Sequence, residues 1–496
     1  MQSRRLLTVL LAALMISQCF SVVAIAEEQE SPVEISMLCM SYSEVPDMNG
    51  PFWTEFQRLT NSKLNIQFIP TGEFSTKLDL MLAAADFPEV VTGINVNAVN
   101  IGNAIREGAF WDLTPFLGDF SQYPNLGANY ETGVFDYAKV DGKIYGIPSM
   151  RAMIDPSIKL RKDWLDKLGI PVPTTMDEYK EALKAIVNGD PDGNGQKDTL
   201  GFIQHGFATI DTAFLVAFGG FQPTYDDEGG MIYKNLTPQY EDLIGWMNGL
   251  YAEGLIAKEW SVMKNTQAEE LFTTGMAASY ERNIWRDYPF QTQIQKVQPD
   301  AEVISLPPLK GPGGYAAWLQ SGYIGMGVIS RRVPEAKVER ILRYYEATAT
   351  EELNFHVYNG IEGVHHTVVD GQPQLTELGV AEVTATCQQP AALISDPWIK
   401  TVTMQAPKAY NDAKKEEVAI YAQVGEKDPF AGIVSETWLE VWSKYDSEWQ
   451  EMTVKAVNGV ISLDEYHTYV EALRSDPDIK QAFQEFAQAY ETFIGK

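Results

Sequence analysis

The chain has 496 residues, with 38 Lys and Arg against 67 Asp and Glu, a formal charge of −29. That balance argues against nucleic acid and against docking on an anionic membrane, because no cationic excess is available. Hydrophobic residues at 45% can build large cores, the length exceeds what one core holds, and 3 cysteines are too few for a disulfide framework or a thiolate zinc site.

Arg4 and Arg5 precede an uncharged apolar run over 6–16, and Ala24-Ile25-Ala26 sets small residues before Glu27. This is the order of an export signal spanning 1–26. Cys19 leaves a second reading open. Ile16-Ser17-Gln18-Cys19 approximates a lipoprotein box, in which the cysteine would carry a lipid anchor, although Gln18 is larger than such a box takes. No later stretch reaches the roughly 18–20 apolar residues of a membrane span. The mature chain is therefore expected to be exported and soluble.

Residues 33–40 read as a strand buried on both faces, with Cys39 as a small buried hydrophobe. A helix over 51–60 places Phe52, Phe56 and Leu59 on one stripe. A strand at 64–69, a helix at 75–85 and a strand at 87–91 follow. The β-α-β-α-β order predicts a parallel, doubly wound sheet, which binds ligands beyond the carboxyl ends of its strands. Ser41-Tyr42-Ser43-Glu44 follows the first strand at such an end and is either a crevice wall or a plain turn. Asp141-Gly142 predicts a hairpin whose second strand stops at Pro148. Residues 158–169 read as a strand running into a helix. Thr174 or Thr175 caps the next helix, with Asp177 and Glu178 in its first turn. Strands return at 277–280, 303–306 and 324–329. The remainder is mainly helical, above all 334–351, 435–455 and 463–494.

Asp190, Asp192, Asn194, Gly195, Gln196 and Asp198 fill positions 1, 3, 5, 6, 7 and 9 of an EF-hand-type loop. Alternate oxygen side chains surround a hard cation, the glycine allows the sharp turn, and Gln196 offers its carbonyl. Position 12 is Gly201 instead of a bidentate Glu. The loop reads as a structural calcium site with one ligand missing or supplied from elsewhere, or as a solvated turn.

Catalytic signatures are missing from the sequence. The 5 histidines form no H-E-x-x-H arrangement, and there is no G-x-S-x-G elbow or P-loop. His365-His366, if on a strand, would point to opposite faces. The 11 Trp and 23 Tyr suit sugar platforms as well as cores. Tyr280-Glu281-Arg282-Asn283-Ile284-Trp285 ends an apolar strand in polar groups and a Trp. It is either a sugar site or a capped strand end.

Several motifs resemble those of the extracellular solute-binding proteins (family 1) of bacterial ABC importers, in their carbohydrate-associated subgroup. They are Leu160-Arg161-Lys162-Asp163-Trp164, Pro173-Thr174-Thr175-Met176-Asp177-Glu178-Tyr179, the loop from Asp190 to Asp198, Asp141-Gly142-Lys143-Ile144-Tyr145-Gly146-Ile147-Pro148, Leu271-Phe272-Thr273-Thr274-Gly275-Met276, and Gly360-Ile361-Glu362-Gly363-Val364-His365-His366-Thr367. Each is weak alone; their order and spacing are specific. The resemblance implies a two-lobed periplasmic-binding-protein-like α/β fold (type II), each lobe a doubly wound sheet flanked by helices. The lobes would hold 31–149 plus 284–330, and 150–283 plus 331–496.

It also implies a monomeric, non-catalytic receptor that closes on a carbohydrate, an oligosaccharide or a uronate-containing glycan, and hands it to an ABC permease. The competing readings are a secreted carbohydrate-active enzyme and a receptor for a sensor kinase. The expected cleft residues are Arg161, Glu281, Asn283 and Trp285, backed by Tyr42, Trp318 and Glu362. Arg161 would donate to hydroxyls or a uronate carboxylate, or else pair with Asp163. Trp318 would line the cleft or anchor its loop.

Overall fold

The computed structural model describes residues 31–495 apart from 155, 205, 207–212 and 396–405, with the backbone alone at Val99 and Ala385. The expected leader, Cys19 and His205 lie outside the described residues. Nine strands build the two main sheets: β1 (Val33–Ser41), β2 (Ser62–Pro70), β3 (Val90–Ile94), β4 (Gly146–Met150), β5 (Pro156–Arg161), β6 (Leu200–Ile203), β7 (Ala277–Asn283), β8 (Val303–Ser305) and β9 (Tyr323–Ile329).

The first sheet has the order β2-β1-β3-β9-β4. Its first three strands are parallel, and β9 runs antiparallel to β3 and β4. Ile35, Met37, Leu38 and Cys39 of β1 are all buried, as a strand covered on both faces requires. Burial pushes the Cys39 thiol up to about 12, so it stays an inert apolar group. The helix Pro51–Leu59 starts on its proline and buries Phe52, Trp53 and Phe56. Pro148 does not stop its strand. It lies inside β4 opposite Met326, at the sheet edge, where a missing N–H costs little.

The second sheet has the order β8-β5-β7-β6, with β5 antiparallel to both neighbours and β6 parallel to β7. Thr175 and Glu178 form a reciprocal capping box that starts the helix Met176–Gly189. The expected helix over 463–494 is two helices, Leu463–Arg474 and Pro477–Phe493. Asp476 caps the second, and Pro477 opens it.

The chain divides differently from the expected boundaries. One core runs from Val33 to Met150 and again from Met326 to Leu393. The other takes Ile158 to Ala316 and Ile433 to Phe486. Residues 284–319, expected in the first lobe, give Leu306, Leu309 and Ala316 to the second core. The helices Glu335–Thr348 and Glu351–Asn359, expected in the second lobe, bury Tyr344, Tyr345 and Leu353 in the first, because their apolar stripes cover the face of the first sheet.

Two crossings between the lobes run side by side. Arg151 N–H donates to Gly322 O (2.9 Å), Gln320 N–H donates to Met153 O (2.7 Å), and Ile154 bridges to Leu319. Under them lies a small cluster of Ile154, Ile284, Ala317, Val418 and Tyr421, against which Trp285 packs.

The helix Lys408–Val424, which supplies Val418 and Tyr421, is held to the second lobe by buried charge. Lys414 Nζ donates to Asp287 Oδ2 (2.5 Å) and Glu417 Oε2 (2.6 Å), Ser305 Oγ donates to Asp287 Oδ2 (3.1 Å), and Tyr410 OH donates to Asp287 Oδ1. Lys159 Nζ, fully buried, donates to Ser305 Oγ (2.8 Å). Burial alone raises a carboxyl, and the Lys159 and Lys414 ammonium groups overrule it and hold Asp287 below its ordinary value. Replacing Asp287 with Ala removes the carboxylate that faces both Lys159 and Lys414 and leaves Glu417 to offset the two buried ammonium groups. The expected loss is about 3–5 kcal/mol of unfolding free energy, read from urea denaturation; a loss below about 1 kcal/mol would show the network to be solvated.

Candidate functional site

The polar groups of interest lie where sheet ends meet the crossings. The carboxyl ends of β1 and β3, the start of β9 and the end of β4 share one edge of the first sheet. In the second sheet Pro156, the first residue of β5, pairs with Asn283, the last of β7, so this edge adjoins the crossing at 151–154. Tyr42 follows β1 and is half exposed; its N–H donates to Thr386 Oγ1 (3.0 Å), and its hydroxyl accepts from Gln389 Nε2 (3.4 Å). Burial raises the Tyr42 phenol, and the nearby Arg151 charge opposes that rise. The Arg151 guanidinium also lies 5.7 Å from the centre of the Trp285 ring. Arg151, on the crossing itself, thus stands against the Trp285 ring of the second lobe, and its charge reaches Tyr42 of the first.

Glu281 and Asn283 belong to the same edge of the second sheet. They share one face of β7, and Glu281 Oε1 accepts from Ala213 N–H (3.3 Å). Arg161 is elsewhere. It ends β5 at the opposite edge, roughly 17 Å from Pro156 at the usual rise of a strand. Only 1% exposed, it makes a bidentate pair with Asp163 (2.8 and 2.7 Å) and stacks over Trp164 at 4.2 Å. The pairing reading of Arg161 is the one the structure contains. Trp318 packs edge-on to Phe221 (5.8 Å) and pairs through its backbone with Glu426, within the second lobe. Glu362 is exposed on the loop before the hairpin strands His366–Val369 and Gln372–Leu375.

Sequence reasoning missed Arg151, Thr386 and Gln389. The available signals were a lone Arg directly after an apolar strand and the polar run Thr384-Ala385-Thr386-Cys387-Gln388-Gln389.

A cavity of 620 Å³ also lies between the lobes. The first lobe lines it with Asn97, Arg106 and Lys139, the second with Glu436, Gln488 and Phe493. Its volume is that of a small-molecule pocket. Tyr137 stands 5.5 Å from both Tyr323, at the start of β9, and Phe493. These rings lead from the crossing edge to the cavity.

The acidic loop is at the far edge of the second lobe, between the helix Met176–Gly189 and the start of β6. Gly195 N–H donates to Asp190 Oδ2 (3.0 Å), and Gln196 N–H donates to Asn194 Oδ1 (2.7 Å). Asn194 Nδ2 donates to Asp192 Oδ2 (2.8 Å) and Asp198 Oδ1 (3.1 Å), in the place between carboxylates that a cation would take. Asp190 Oδ1 is buried without a hydrogen-bond partner. Desolvation, with Asp190 and Asp198 close by, raises the Asp192 carboxyl. The donor set fits a hard divalent cation. Gly201 cannot be replaced by a twelfth-position carboxylate, since a Cβ there would meet Leu255 O at 2.3 Å.

The two adjacent histidines serve separate bonds. His365 Nδ1 accepts from Ile361 N–H (3.0 Å), which leaves Nε2 to donate to Glu382 (3.0 Å); His366 Nδ1 donates to Asn359 O (2.8 Å). Among the described residues, the one group of three metal-type side chains whose ligand atoms already lie within 4.8 Å of one another is Glu241, His467 and Glu471. Arg474 already donates to both of its carboxylates.

Two α/β lobes joined by paired crossings, with aromatic, cationic and amide groups along their seam, define a two-lobed binding protein. The chain belongs to the bacterial extracellular solute-binding protein family, whose profile matches residues 42–345. A curated relative is the polygalacturonan/rhamnogalacturonan-binding protein YtcQ of Bacillus subtilis, 27% identical over 93% of this chain and 92% of its own. Among solved structures, the alginate-binding protein AlgQ2 without calcium ion superposes with a TM-score of 0.69 at 20% identity, covering 93% of this chain and 98% of that one. An EF-hand mutant of FusA, the ABC-transporter substrate-binding protein of Streptococcus pneumoniae, in complex with fructo-nystose, gives 0.61 at 16% identity, covering 92% and 99%.

The position of Arg161 yields a separable expectation. Arg161→Ala strands Asp163 and uncovers Trp164, costing about 3–5 kcal/mol in denaturant unfolding, while solute affinity measured below the new midpoint stays within about twofold. A large affinity loss in a still-folded variant would return Arg161 to the binding site.

Proposed function

We propose that the chain is the receptor of an ABC importer for a uronate-containing oligosaccharide, which it holds by lobe closure without altering it. The observation that carries this reading is the Arg151 guanidinium 5.7 Å from the centre of the Trp285 ring, on the crossing between the lobes. A sugar ring offers C–H faces to Trp285, and its carboxylate takes charge-assisted hydrogen bonds from Arg151. Glu281, Asn283 and Gln389 supply hydroxyl partners. Ligand contacts from both lobes favour the closed form, and that form is what a permease recognises. The names of YtcQ and AlgQ2 support the reading, since polygalacturonan and alginate are both uronate polymers. On this reading residues 1–26 direct export, and no step requires a catalytic group.

Calorimetry with trigalacturonate tests it. The wild-type chain should bind, Trp285→Ala should weaken binding about tenfold, and Arg151→Ala about 10–100-fold, the worth of a hydrogen bond to a charged group. Equal affinity for neutral maltotriose would defeat the uronate assignment.

The same reading places calcium in the loop, held by Asp190, Asp192, Asn194, the Gln196 carbonyl and Asp198. Calcium at a hundredfold excess over Kd should add about 2.7 kcal/mol, seen as a rise of a few degrees in Tm that EDTA reverses and Asp190→Ala abolishes. A Tm indifferent to both calcium and EDTA would leave the loop as a solvated turn.

A further inference from the structure

In the motif Gly360-Ile361-Glu362-Gly363-Val364-His365-His366-Thr367, Glu362 is exposed and His365 is fully buried. The His365 ring is held on both nitrogens: Nδ1 accepts from Ile361 N–H (3.0 Å), and Nε2 donates to Glu382 Oε2 (3.0 Å). The main chain closes on it as well. A Cβ on Gly360 would meet the His365 Cβ at 2.5 Å, and one on Gly379 would meet His365 O at 1.9 Å, so only glycine fits at either place. Phe52 packs edge-on to the ring at 6.0 Å, and Glu382 Oε1 stands beside Gly50, directly before the helix Pro51–Leu59.

Glu382 ends the helix Glu377–Glu382, and the chain runs from it into the segment that touches Tyr42. The Glu382 carbonyl accepts from Thr384 N–H (3.1 Å) and from Cys387 Sγ (3.3 Å). Thr386 Oγ1 accepts from Tyr42 N–H (3.0 Å), Ser43 Oγ lies 3.4 and 3.3 Å from the hydroxyls of Thr384 and Thr386, and Gln389 Nε2 donates to the Tyr42 hydroxyl (3.4 Å). Residues 384–389 contain one short 3-10 turn and no strand or α-helix, so their place is set by bonds to their surroundings. At the far end Ser149 Oγ donates to Gln388 O (3.1 Å), and Tyr344 OH donates to Pro390 O (2.8 Å). At the near end His365 holds Glu382. The Glu382 side chain is 22% exposed, so water can take its carboxylate if the histidine is lost. Breaking this bond therefore loosens the segment without stranding a buried charge.

We propose that His365 is a positioning residue for the binding seam: through Glu382 it fixes the segment 384–389, and with it Tyr42, without touching the solute. The link to binding rests on the reading that Tyr42 and Gln389 face the solute; the hold on Tyr42 does not. The competing role is confined to the turn that His365 closes by accepting from Ile361. The two ring nitrogens separate these roles. Asn carries its amide atoms at the place of Nδ1, and Gln carries them at the place of Nε2. His365→Asn keeps an acceptor for Ile361 and gives up Glu382. His365→Gln keeps a donor for Glu382 and gives up Ile361.

Hydrogen exchange by mass spectrometry, on the peptide spanning 41–44, reads the Tyr42 amide without any solute. His365→Asn and Glu382→Ala should speed exchange there about tenfold, and His365→Gln should stay within about threefold of the wild-type chain. Calorimetry with trigalacturonate should follow the same order, with affinity down about fivefold in the first two variants and restored in the third. Circular dichroism and Tm confirm folding, and Glu382→Ala takes the place of His365→Asn if the latter does not fold. Unchanged exchange in the first two variants overturns the proposal. So does loosening in His365→Gln that equals or exceeds theirs, the pattern of a role confined to packing or to the turn. Faster exchange with unchanged trigalacturonate affinity overturns it too, since Tyr42 would then move without consequence for the solute. A wild-type chain that binds no trigalacturonate removes the uronate reading, and the exchange pattern then decides the role of His365 by itself.

Discussion

Of the three passages of the chain between the lobes, two hydrogen-bond to each other, and Arg151 is the first residue of one of them. This is the constraint on which the site depends. Arg151 N–H is tied to Gly322 O, and its guanidinium, carried on the crossing, stands 5.7 Å from the centre of the Trp285 ring. In the proposed closure a group on a crossing would move less than groups far from it, so a ligand would meet it first and gain the remaining contacts afterwards. The free energy that separates open from closed then comes from the groups that travel, and a ligand shifts that equilibrium only by its differential contacts.

The second lobe needs a rigid backing for this to work. The helix Lys408–Val424 supplies it: Lys414, Asp287 and Lys159 fix the helix to the sheet, and Val418 and Tyr421 then form the floor under Trp285. An apolar contact alone would allow the helix to slide. A buried charged network whose members depend on one another has few alternative arrangements. Such a network suits a floor that holds one position under Trp285.

Much of the fold was legible because it is written in local patterns. The continuous apolar run of β1, the capping box at Thr175 and Glu178, and the turn at Asp141-Gly142 each fix an element by short-range physics. The lobe assignment of 284–319 and 335–393 was not legible, because a strand or helix carries an apolar face without stating which core will cover it. The same limit governs the site. Trp285 and Tyr42 stood out by residue type and position, yet Arg161, an arginine beside an aspartate, carried no mark of which edge of its sheet it would occupy. Arg151 was overlooked because its neighbours in sequence are unremarkable; Trp285, whose ring lies 5.7 Å from its guanidinium, is more than a hundred residues away in the chain.

A chain with a formal charge of −29 is an unexpected receptor for an anion. The difficulty is smaller than the total suggests. At physiological ionic strength, charges more than about 8 Å apart are largely screened, so most of the 67 acidic residues are silent at the seam. What a bound carboxylate feels is its first neighbours, and there the sequence of charge is local: a guanidinium at the crossing, and beyond it a cavity whose ion pairs are closed on themselves. The long-range repulsion acts instead on approach, where it slows encounter with polyanions.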